Sequence, residues 1–347
     1  MGHPGLRVLP STILPRDLDG LSLPTENIDR YARRIDYMRI SITDRCNLRC
    51  VYCMPAEGVA LAPKAELLSF EEIWRVAEAA TAIGFKKFRV TGGEPLVVKD
   101  IATFLTGLRR ATSGAQLCLT SNGVHLPEHL ETIHAIGIDR INISLDTLNP
   151  DRFRRLTRRD GLDRVLRSID QALELGFSRV KINAVIVPGV NEDDLVRLVG
   201  IAETRDLDVR FIEQMPLDGE VDGGFLGADE MLRRIGDRYP LESIAPEDNR
   251  QAAQLMFRSP KLRGQVGIIA PRSRKFCAGC NRMRLTSSGE LKGCLLSEGT
   301  LDIKTALRRG VSDFDLQRLL YYAIGIKPAE YRDDNYGLDR SMSAIGG

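Results

Sequence analysis

The stretch YMRISITDRCNLRCVYC, residues 37–53, decides the fold, because an apolar strand pattern runs directly into three closely spaced cysteines. Residues 37–43 have the length and composition of a β-strand. Cys46, Cys50 and Cys53 follow at spacings of four and three residues, close enough for one loop to bring the three thiols together. Functional side chains directly after a strand are typical of parallel α/β folds, in which chemistry gathers at the C-terminal ends of the strands.

Five more strand patterns follow this stretch, separated by amphipathic helical patterns. They are KFRVT from Lys87, QLCLTS from Gln116, RINISLD from Arg140, RVKINAV from Arg179 and DVRFIEQ from Asp208. The first helix begins with a capping box at Ser69 and Glu72 and ends near Gly84. Six strand-helix repeats predict a parallel sheet, and six are too few for a closed eight-stranded barrel. We therefore predict an α/β fold with an incomplete (β/α)6 TIM-type barrel, although periodicity alone also allows a doubly wound sheet.

The pattern changes after about residue 217. A loop rich in Gly and Asp, a helix from about Ala228 and the strand QVGIIA lead to a second cysteine group. We predict three parts: an N-terminal extension over residues 1–30, a partial barrel over 31–250, and a C-terminal α+β domain over 251–347 that carries a second iron-sulfur cluster. The extension is rich in proline and lacks periodicity, so it is expected to be mobile unless it docks.

Composition excludes several classes of protein. The 49 basic and 47 acidic residues give a net charge of +2, too balanced for a surface that binds nucleic acid or a membrane. Seven cysteines, in two trios with Cys118 apart, do not resemble a secreted disulfide framework. No segment approaches the roughly 18 apolar residues of a membrane span. We expect a cytoplasmic protein.

The first cysteine trio suits an iron-sulfur cluster with one open position. A 4Fe-4S cluster normally takes four cysteines, so three local thiolates leave one iron free for an added ligand. Structural zinc prefers paired CxxC or Cys/His sets, and no histidine lies near residues 46–53. Zinc is therefore the less favoured alternative at this position.

A second trio, Cys277, Cys280 and Cys294, lies in FCAGCNRMRLTSSGELKGCL, where SSGE predicts a hairpin turn between two short strands. No fourth ligand is evident, because Cys118 lies in an apolar strand and is expected to be a small core residue. The trio again suits a cluster with a free iron. A zinc ribbon stays open as the alternative.

Specific motifs add a resemblance to known families. CxxxCxxC with Tyr52 before its last cysteine resembles the signature of the radical S-adenosylmethionine superfamily. The segment TGGEP at residues 91–95 is by itself only a tight turn, but at this position it resembles the second motif of that superfamily. Together, both trios, CNRMRLT and the terminal Gly346-Gly347 resemble the GTP 3',8-cyclase family, which performs the first step of molybdenum cofactor biosynthesis. The resemblance runs from about Ile28 to the last residue.

The resemblance implies an activity, cofactors and partners. It implies two 4Fe-4S clusters and S-adenosylmethionine as cofactors, and GTP as a substrate that is cyclised to (8S)-3',8-cyclo-7,8-dihydroguanosine 5'-triphosphate. Implied partners are an electron donor such as flavodoxin or ferredoxin and the next enzyme, cyclic pyranopterin monophosphate synthase, and the family allows a homodimer. Two alternatives stay open: a peptide-modifying radical enzyme with an auxiliary cluster, and a zinc-dependent nucleic-acid binder, which the near-zero net charge disfavours.

The resemblance also implies site residues. Those for the first cluster are Cys46, Cys50 and Cys53, and those for the second are Cys277, Cys280 and Cys294. Those for S-adenosylmethionine are Tyr52, Gly93, Glu94, Ser144 and Met215. Those for GTP are Arg39, Arg89, Thr120, Lys181, Arg282, Met283 and Arg284. A catalytic role is implied for the first trio, Arg282 and Arg284, and for Gly346 and Gly347, which would enter the active site.

Charge supports a phosphate site independently. The sequence has no P-loop, so a triphosphate would have to be held by arginine and lysine side chains. For any one such residue a solvated surface position is the default interpretation. Arg39, Arg89 and Lys181, however, stand in apolar strands, where burying an unpaired charge costs several kcal/mol, and an anionic ligand would remove that cost. Met215 could equally be a core residue, and a Gly-Gly end by itself is merely flexible.

Overall fold

The computed structural model describes residues 15–177, 179–215, 224–245, 254–296 and 300–331. Gly346 and Gly347 lie outside these ranges. Nine α-helices occur in the described part of the chain: α1 (Phe70–Ala82), α2 (Ile101–Ala111), α3 (Leu130–Ala135), α4 (Pro150–Thr157), α5 (Leu162–Glu174), α6 (Leu195–Gly200), α7 (Ala228–Gly236), α8 (Lys304–Arg308) and α9 (Asp313–Gly325).

Twelve strands within the described residues form one sheet. They are β1 (Tyr37–Ser41), β2 (Lys87–Thr91), β3 (Gln116–Ser121), β4 (Arg140–Ser144), β5 (Val180–Ile186), β6 (Asp208–Glu213), β7 (Glu242–Ile244), β8 (Leu255–Arg258), β9 (Val266–Ile269), β10 (Arg282–Leu285), β11 (Glu290–Lys292) and β12 (Thr300–Asp302). Their order is β12-β11-β10-β1-β2-β3-β4-β5-β6-β9-β8-β7.

The six predicted strands are confirmed as a parallel array in chain order, β1 to β6. A doubly wound sheet would reverse its strand order at a switch point, whereas this order runs in one direction, as in a barrel. Two further parallel strands extend the array: β10 pairs with β1 and β9 pairs with β6. The outermost strands, β12 and β7, do not pair with each other in the described part of the chain, so the barrel is open. The incomplete barrel is confirmed, with eight parallel strands where six were predicted.

The faces of the sheet differ in chemistry. On β4, Ile141 and Ile143 are fully buried in the apolar core between strands and helices, while Asn142 and Ser144 line the barrel interior. Because side chains alternate along a strand, the inward positions of neighbouring strands share one polar interior. The core therefore lies outside the barrel wall, and the interior is free for a site.

The helix signals in the sequence are confirmed at α1. Ser69 Oγ accepts a hydrogen bond from the Glu72 amide at 3.2 Å, and Glu72 Oε2 accepts one from the Ser69 amide at 2.7 Å. Gly84 follows the helix end with φ +99°, a conformation that glycine adopts without steric cost. The helix predicted from about Ala228 is α7.

The described part of the N-terminal segment packs on the rest of the chain. Leu18 is 1% exposed and belongs to the main apolar core. Asp19 accepts a hydrogen bond from Arg318 Nη2 at 2.9 Å. The domain boundary predicted near residue 250 lies outside the described residues. No helix among the described residues combines the length and apolarity that a bilayer span requires.

Candidate active site

A cavity of about 910 Å³ occupies the barrel interior. Both cysteine trios line it. So do all the other predicted site residues that fall within the described ranges, except Met283: Arg39, Tyr52, Arg89, Gly93, Glu94, Thr120, Ser144, Lys181, Met215, Arg282 and Arg284. The structure therefore brings together residues that are scattered over most of the chain.

The first trio sits on a loop that is fixed by its backbone. The Arg49 amide donates to the Thr157 carbonyl and the Val51 amide to the Leu156 carbonyl, both at 2.9 Å, so the loop is tied to the end of α4. Burial raises the pKa of the Cys50 thiol well above its usual range. A buried thiolate therefore needs a metal to stabilise it, and metal coordination removes the proton outright.

The glycines of TGGEP are required by the backbone beside them. The Gly93 amide donates to the Thr43 carbonyl and the Glu94 amide to the Arg45 carbonyl, both at 2.7 Å. A Cβ on Gly93 would lie 2.2 Å from the Arg45 carbonyl oxygen. The close approach is thus to the segment that leads to Cys46, so the glycine is needed to seat the cysteine loop against β2.

Glu94 links three segments at the edge of the cavity. Its Oε1 accepts hydrogen bonds from Ser121 Oγ at 2.8 Å and the Leu96 amide at 3.1 Å, and its Oε2 accepts one from the Asn122 amide at 2.7 Å. Asn122 Nδ2 in turn lies 3.8 Å from Cys46 Sγ. Burial raises the pKa of Glu94 to about 7. A positive charge nearby would stabilise the ionised form of this buried carboxyl group, so the position suits a cationic group of a ligand.

Tyr52 is held by a carboxylate to which the sequence assigned no role. Tyr52 Oη donates to Asp146 Oδ2 at 2.6 Å, and Asp146 Oδ1 accepts a hydrogen bond from the Val185 amide at 2.8 Å. Burial raises the pKa of Asp146 to about 6. The pair fixes the side chain of Tyr52, which lies in the sequence between Cys50 and Cys53 of the first trio.

Between the two trios, the cavity wall is strongly cationic. Burial, followed by repulsion from Arg210, lowers the pKa of Lys181 to about 8. Burial and Arg282 lower the pKa of Arg284 to about 10. The cations that line this wall are Arg39, Arg89, Lys181, Arg210, Arg282 and Arg284. At Lys181 and Arg284, burial and repulsion between neighbouring cations both oppose the charged form.

Two of these cations have protein partners that the sequence analysis did not foresee. Lys181 Nζ forms a 2.6 Å ion pair with Asp208 on the neighbouring strand β6. Arg89 Nε donates to Tyr37 Oη at 2.8 Å. Lys181 is therefore compensated by a carboxylate, whereas Arg89 has a hydrogen-bond partner but forms no ion pair with a carboxylate among the described residues. The strand pattern could not reveal their partners because these lie on other strands.

Arg210 is a candidate site residue that the sequence analysis missed. Its Nε and Nη2 are buried and have no hydrogen-bond partner among the described residues. Burial, followed by repulsion from Arg89, lowers its pKa to about 9. A Cβ on Gly267 of β9 would lie 2.8 Å from Arg210 Cγ, so this glycine makes room for the arginine. The signal was present in the sequence, since Arg210 interrupts an apolar strand as Arg39 does.

Two amides add further unsatisfied groups to the cavity. Asn142 Oδ1 and Asn183 Oδ1 are buried without a partner in the described part of the chain, and both residues line the cavity. Buried polar groups of native proteins are normally hydrogen-bonded. The two amide oxygens need donors from a ligand and the unsatisfied N–H groups of Arg210 need acceptors, so the cavity suits a polar ligand that offers both.

The second trio surrounds the start of β10 and the end of β11. Cys277 and Cys280 precede β10, and Cys294 follows β11. The predicted SSGE turn is confirmed: β10 and β11 are antiparallel, and Gly289 has φ +85°. Burial opposes ionisation of Cys280, but the charges of Lys327 and Arg282 lower the pKa of its thiol.

Met283 departs from the predicted arrangement. Its side chain is fully buried in the apolar core, whereas Arg282 and Arg284 line the cavity. The cause is strand alternation, which turns every second side chain of β10 to the opposite face. A role for the Met283 side chain in ligand contact is therefore not supported, and only its backbone remains near the site.

The thiols fit clusters in the chemistry of the donor set. Among the described residues, no three Cys, His, Asp or Glu side chains converge on a point as the ligands of a single ion do. A 4Fe-4S cluster takes each thiolate on a different iron, so its ligands do not have to converge. Three thiols per group are compatible with such a cluster that keeps one iron open.

Comparison with known proteins places this site in a class. Residues 40–201 match the Radical SAM superfamily, and residues 207–333 match Molybdenum Cofactor Synthesis C. The crystal structure of Streptococcus suis SuiB bound to S-adenosylmethionine has a TM-score of 0.55 at 16% identity, covering 87% of this chain and 77% of that one, which shows a shared fold. Fold and first trio together define a radical S-adenosylmethionine protein.

Sequence relatives narrow the class to a family. A protein of Desulforamulus reducens named GTP 3',8-cyclase is 42% identical over 92% of this chain and 100% of its own length. A GTP 3',8-cyclase of Moorella thermoacetica is 41% identical over 92% of this chain and 99% of its own. Molybdenum cofactor biosynthesis protein 1 of Bos taurus is 41% identical over 87% of this chain, which spans 48% of that protein. The chain belongs to the GTP 3',8-cyclase family.

Proposed function

We propose that this chain is a radical S-adenosylmethionine enzyme that cyclises GTP to (8S)-3',8-cyclo-7,8-dihydroguanosine 5'-triphosphate, the first step of molybdenum cofactor biosynthesis. One observation carries the proposal: two cysteine trios line a single cavity whose wall between them holds buried cations. A radical source and an anionic substrate can therefore meet in one enclosed volume.

The first trio, Cys46, Cys50 and Cys53, holds one 4Fe-4S cluster in this proposal. When bound, this cluster and S-adenosylmethionine supply a 5'-deoxyadenosyl radical. Glu94 Oε2 accepts one hydrogen bond within the described residues, which leaves a lone pair for the methionine ammonium group. The other residues proposed to contact S-adenosylmethionine, all at the same cavity, are Tyr52, Gly93, Ser144 and Met215.

The second trio, Cys277, Cys280 and Cys294, would hold a second 4Fe-4S cluster, which with only three protein thiolates would offer one iron as a binding position for the guanine base. The chain then has to point ribose C3' of GTP toward the first trio and keep guanine C8 within bonding reach of C3'. The triphosphate contacts are assigned to Arg39, Arg89, Lys181, Arg210, Arg282 and Arg284, with Thr120 beside them. Arginine suits this role because its planar fork pairs with two phosphate oxygens at once.

A peptide substrate fits this cavity less well. The carbonyl groups of an uncharged peptide could accept hydrogen bonds from Arg210 Nε and Nη2, but they would leave the cationic wall without counter-charge. A nucleoside triphosphate supplies several negative charges and many acceptor oxygens in one molecule. The charge of the wall thus favours GTP over the peptide alternative.

The proposal includes finer points of organisation. We assign residues 31–250 to the barrel and 251–347 to the C-terminal domain, with Gly346 and Gly347 entering the active site. The proposed electron donor is a protein such as flavodoxin or ferredoxin. Cyclic pyranopterin monophosphate synthase is proposed as the enzyme that takes the product. The proposed assembly is a homodimer. A cytoplasmic location is proposed because none of the seven cysteines forms a disulfide.

An anaerobic assay tests the substrate. The protein is reconstituted with iron and sulfide, mixed with S-adenosylmethionine and a reductant, and supplied with GTP, ATP or no nucleotide, and 5'-deoxyadenosine and cyclised nucleotide are quantified. We expect about eight irons per chain and product with GTP alone. Equal 5'-deoxyadenosine with ATP or without nucleotide would show that the substrate assignment is wrong.

A pair of cysteine variants tests the role of the second trio. Cys294→Ser should lower iron to about four per chain and abolish cyclised product, while the first cluster stays. Cys118→Ser is the matched control, because Cys118 is a buried cysteine outside both trios and should keep about eight irons. Full cyclisation by Cys294→Ser would contradict a substrate-binding second cluster.

A further inference from the structure

A buried lysine lies against the second trio, and the function proposed above leaves it without a role. Lys327 is 2% exposed and follows the end of α9. Its Nζ lies 3.6 Å from Cys280 Sγ and donates to the carbonyls of Arg282, at 2.9 Å, and Gly293. One ammonium group therefore contacts a cluster cysteine, the start of β10 and the residue before Cys294.

The charge of Lys327 is directed at this trio. Among the described residues it forms no ion pair with a carboxylate, and its three contacts are two carbonyl oxygens and one sulfur. Burying an ammonium group is costly unless a negative charge compensates it. The thiolate of Cys280 is the anionic group in contact with it, and a cluster that carries three thiolates is a still larger negative charge.

The backbone around Lys327 is held rigidly. Arg33 Nη1 donates to the carbonyls of Cys277 and Ala329, both at 2.8 Å, and Nη2 donates to the Pro328 carbonyl at 2.6 Å. Arg33 also forms a buried 2.6 Å ion pair with Asp29. Asp29 balances the charge of Arg33, so Arg33 serves to hold the backbone near the trio. The charge of Lys327 has no carboxylate partner among the described residues, and the nearest groups that it can stabilise are the thiolates of the trio.

Packing leaves Lys327 little freedom to move. A Cβ on Gly293 would lie 3.2 Å from both Cα and Cγ of Lys327, closer than ordinary van der Waals contact. A lysine so enclosed cannot turn its ammonium group to solvent. The 3.6 Å contact with Cys280 is thus a fixed feature of the site.

We propose that Lys327 is a positioning residue for the second cluster, which fixes Cys280 and the end of β11 and stabilises the reduced, more negative state of that cluster. Net charge and hydrogen bonds to sulfur are among the factors that set the reduction potential of such clusters. The inference rests on the proposed function, because it requires a cluster at the second trio.

Two substitutions separate charge from hydrogen bonding. Lys327→Gln removes the charge and keeps N–H donors, and Lys327→Met removes both with a chain of similar length. Both are made in the full chain with Cys46, Cys50 and Cys53 replaced by alanine, so that iron and electron paramagnetic resonance report the second cluster alone. Lys275→Met is the control, because Lys275 is exposed and lies over the Tyr331 ring near the same trio.

Reduction potential and iron content are the readouts. We expect about four irons per chain in the parent, and at least a tenfold shift of the reduction equilibrium toward the oxidised state in both Lys327 variants, which is 59 mV for one electron. Lys327→Met should also bind less iron than Lys327→Gln. Lys275→Met should shift the potential far less, because solvent screens its charge.

Each outcome has a defined meaning. Normal iron and an unchanged potential in both Lys327 variants would overturn the inference, and so would loss of the protein fold by circular dichroism, because Lys327 would then serve general stability. Selective loss of iron with the fold intact supports the positioning role. Absence of iron from the parent itself would refute the proposed second cluster instead, so the two failures are distinguishable.

Discussion

Replacing Arg210 by methionine should have opposite effects on stability and on ligand binding. In the nucleotide-free protein, Nε and Nη2 of Arg210 are buried without partners in the described part of the chain, and burial lowers its pKa to about 9. Replacing a buried ion pair by apolar side chains of similar volume is often neutral or stabilising by about 1–4 kcal/mol, and removing a buried charge with two unsatisfied nitrogens relieves a desolvation cost of the same kind. We expect Arg210→Met to raise the free energy of unfolding by about 1 kcal/mol, measured by urea denaturation without nucleotide.

The same substitution should weaken GTP binding. Hydrogen bonds to charged groups contribute about 1.5–3 kcal/mol each, and the loss of such contacts with phosphate corresponds to a Kd that is roughly 10- to 150-fold higher. Anaerobic equilibrium dialysis of the reconstituted protein measures this Kd. Arg205→Met is the control, because its 2.7 Å pair with Asp170 is half-exposed and contributes at most about 1 kcal/mol. A destabilised Arg210→Met protein with unchanged GTP affinity would refute the assignment of Arg210 to substrate.

Three further predictions concern Tyr37, Gly93 and the two C-terminal glycines. Burial alone would raise the pKa of Tyr37, but the charges of Arg89 and its neighbours lower it to about 7. The free energy of unfolding of the protein relative to Tyr37→Phe should therefore grow between pH 7 and 10, and this gain should be lost as the pH falls through 7. A difference in urea denaturation that does not change with pH would contradict this. Gly93→Ala should halve the iron bound per chain, because its Cβ would lie 2.2 Å from a backbone oxygen, whereas Gly236→Ala, with nothing within 4 Å, should bind the normal amount. Deleting Gly346 and Gly347 should lower turnover while iron content stays constant, and unchanged turnover would remove the tail from the site.

Much of the fold could be predicted because its strands are locally encoded. β2 and β3 begin and end where the apolar patterns KFRVT and QLCLTS do, and the capping box at Ser69 marks the start of α1. The parallel pairing of β10 with β1 could not be predicted, because the two strands are far apart in the chain and no strand-helix repeat joins them. The pairing of β9 with β6 was obscured because β7 and β8 follow α7 before β9 begins. Local patterns describe elements, whereas edge partners depend on the whole chain.

The candidate site shows the same division. Cysteine spacing and the basic residues in apolar strands predicted both trios and several cations of the cavity wall. The ion pair between Lys181 and Asp208 could not be predicted, because it depends on the register between β5 and β6, which no sequence pattern specifies. Met283 was grouped with its neighbours by motif, although strand alternation sends its side chain to the core. Arg210 was missed despite carrying the same signal as Arg39.

The pairing of β10 with β1 has a consequence for biosynthesis of the protein itself. During translation, Tyr37 leaves the ribosome long before Arg282, its partner in the sheet, has been made. The nascent barrel therefore keeps an uncovered edge strand, and its contacts of high sequence separation form late and slowly. Until β10 has been synthesised, β1 lacks its partner on this side of the sheet, and the cavity lacks the second trio that lines it in the folded protein.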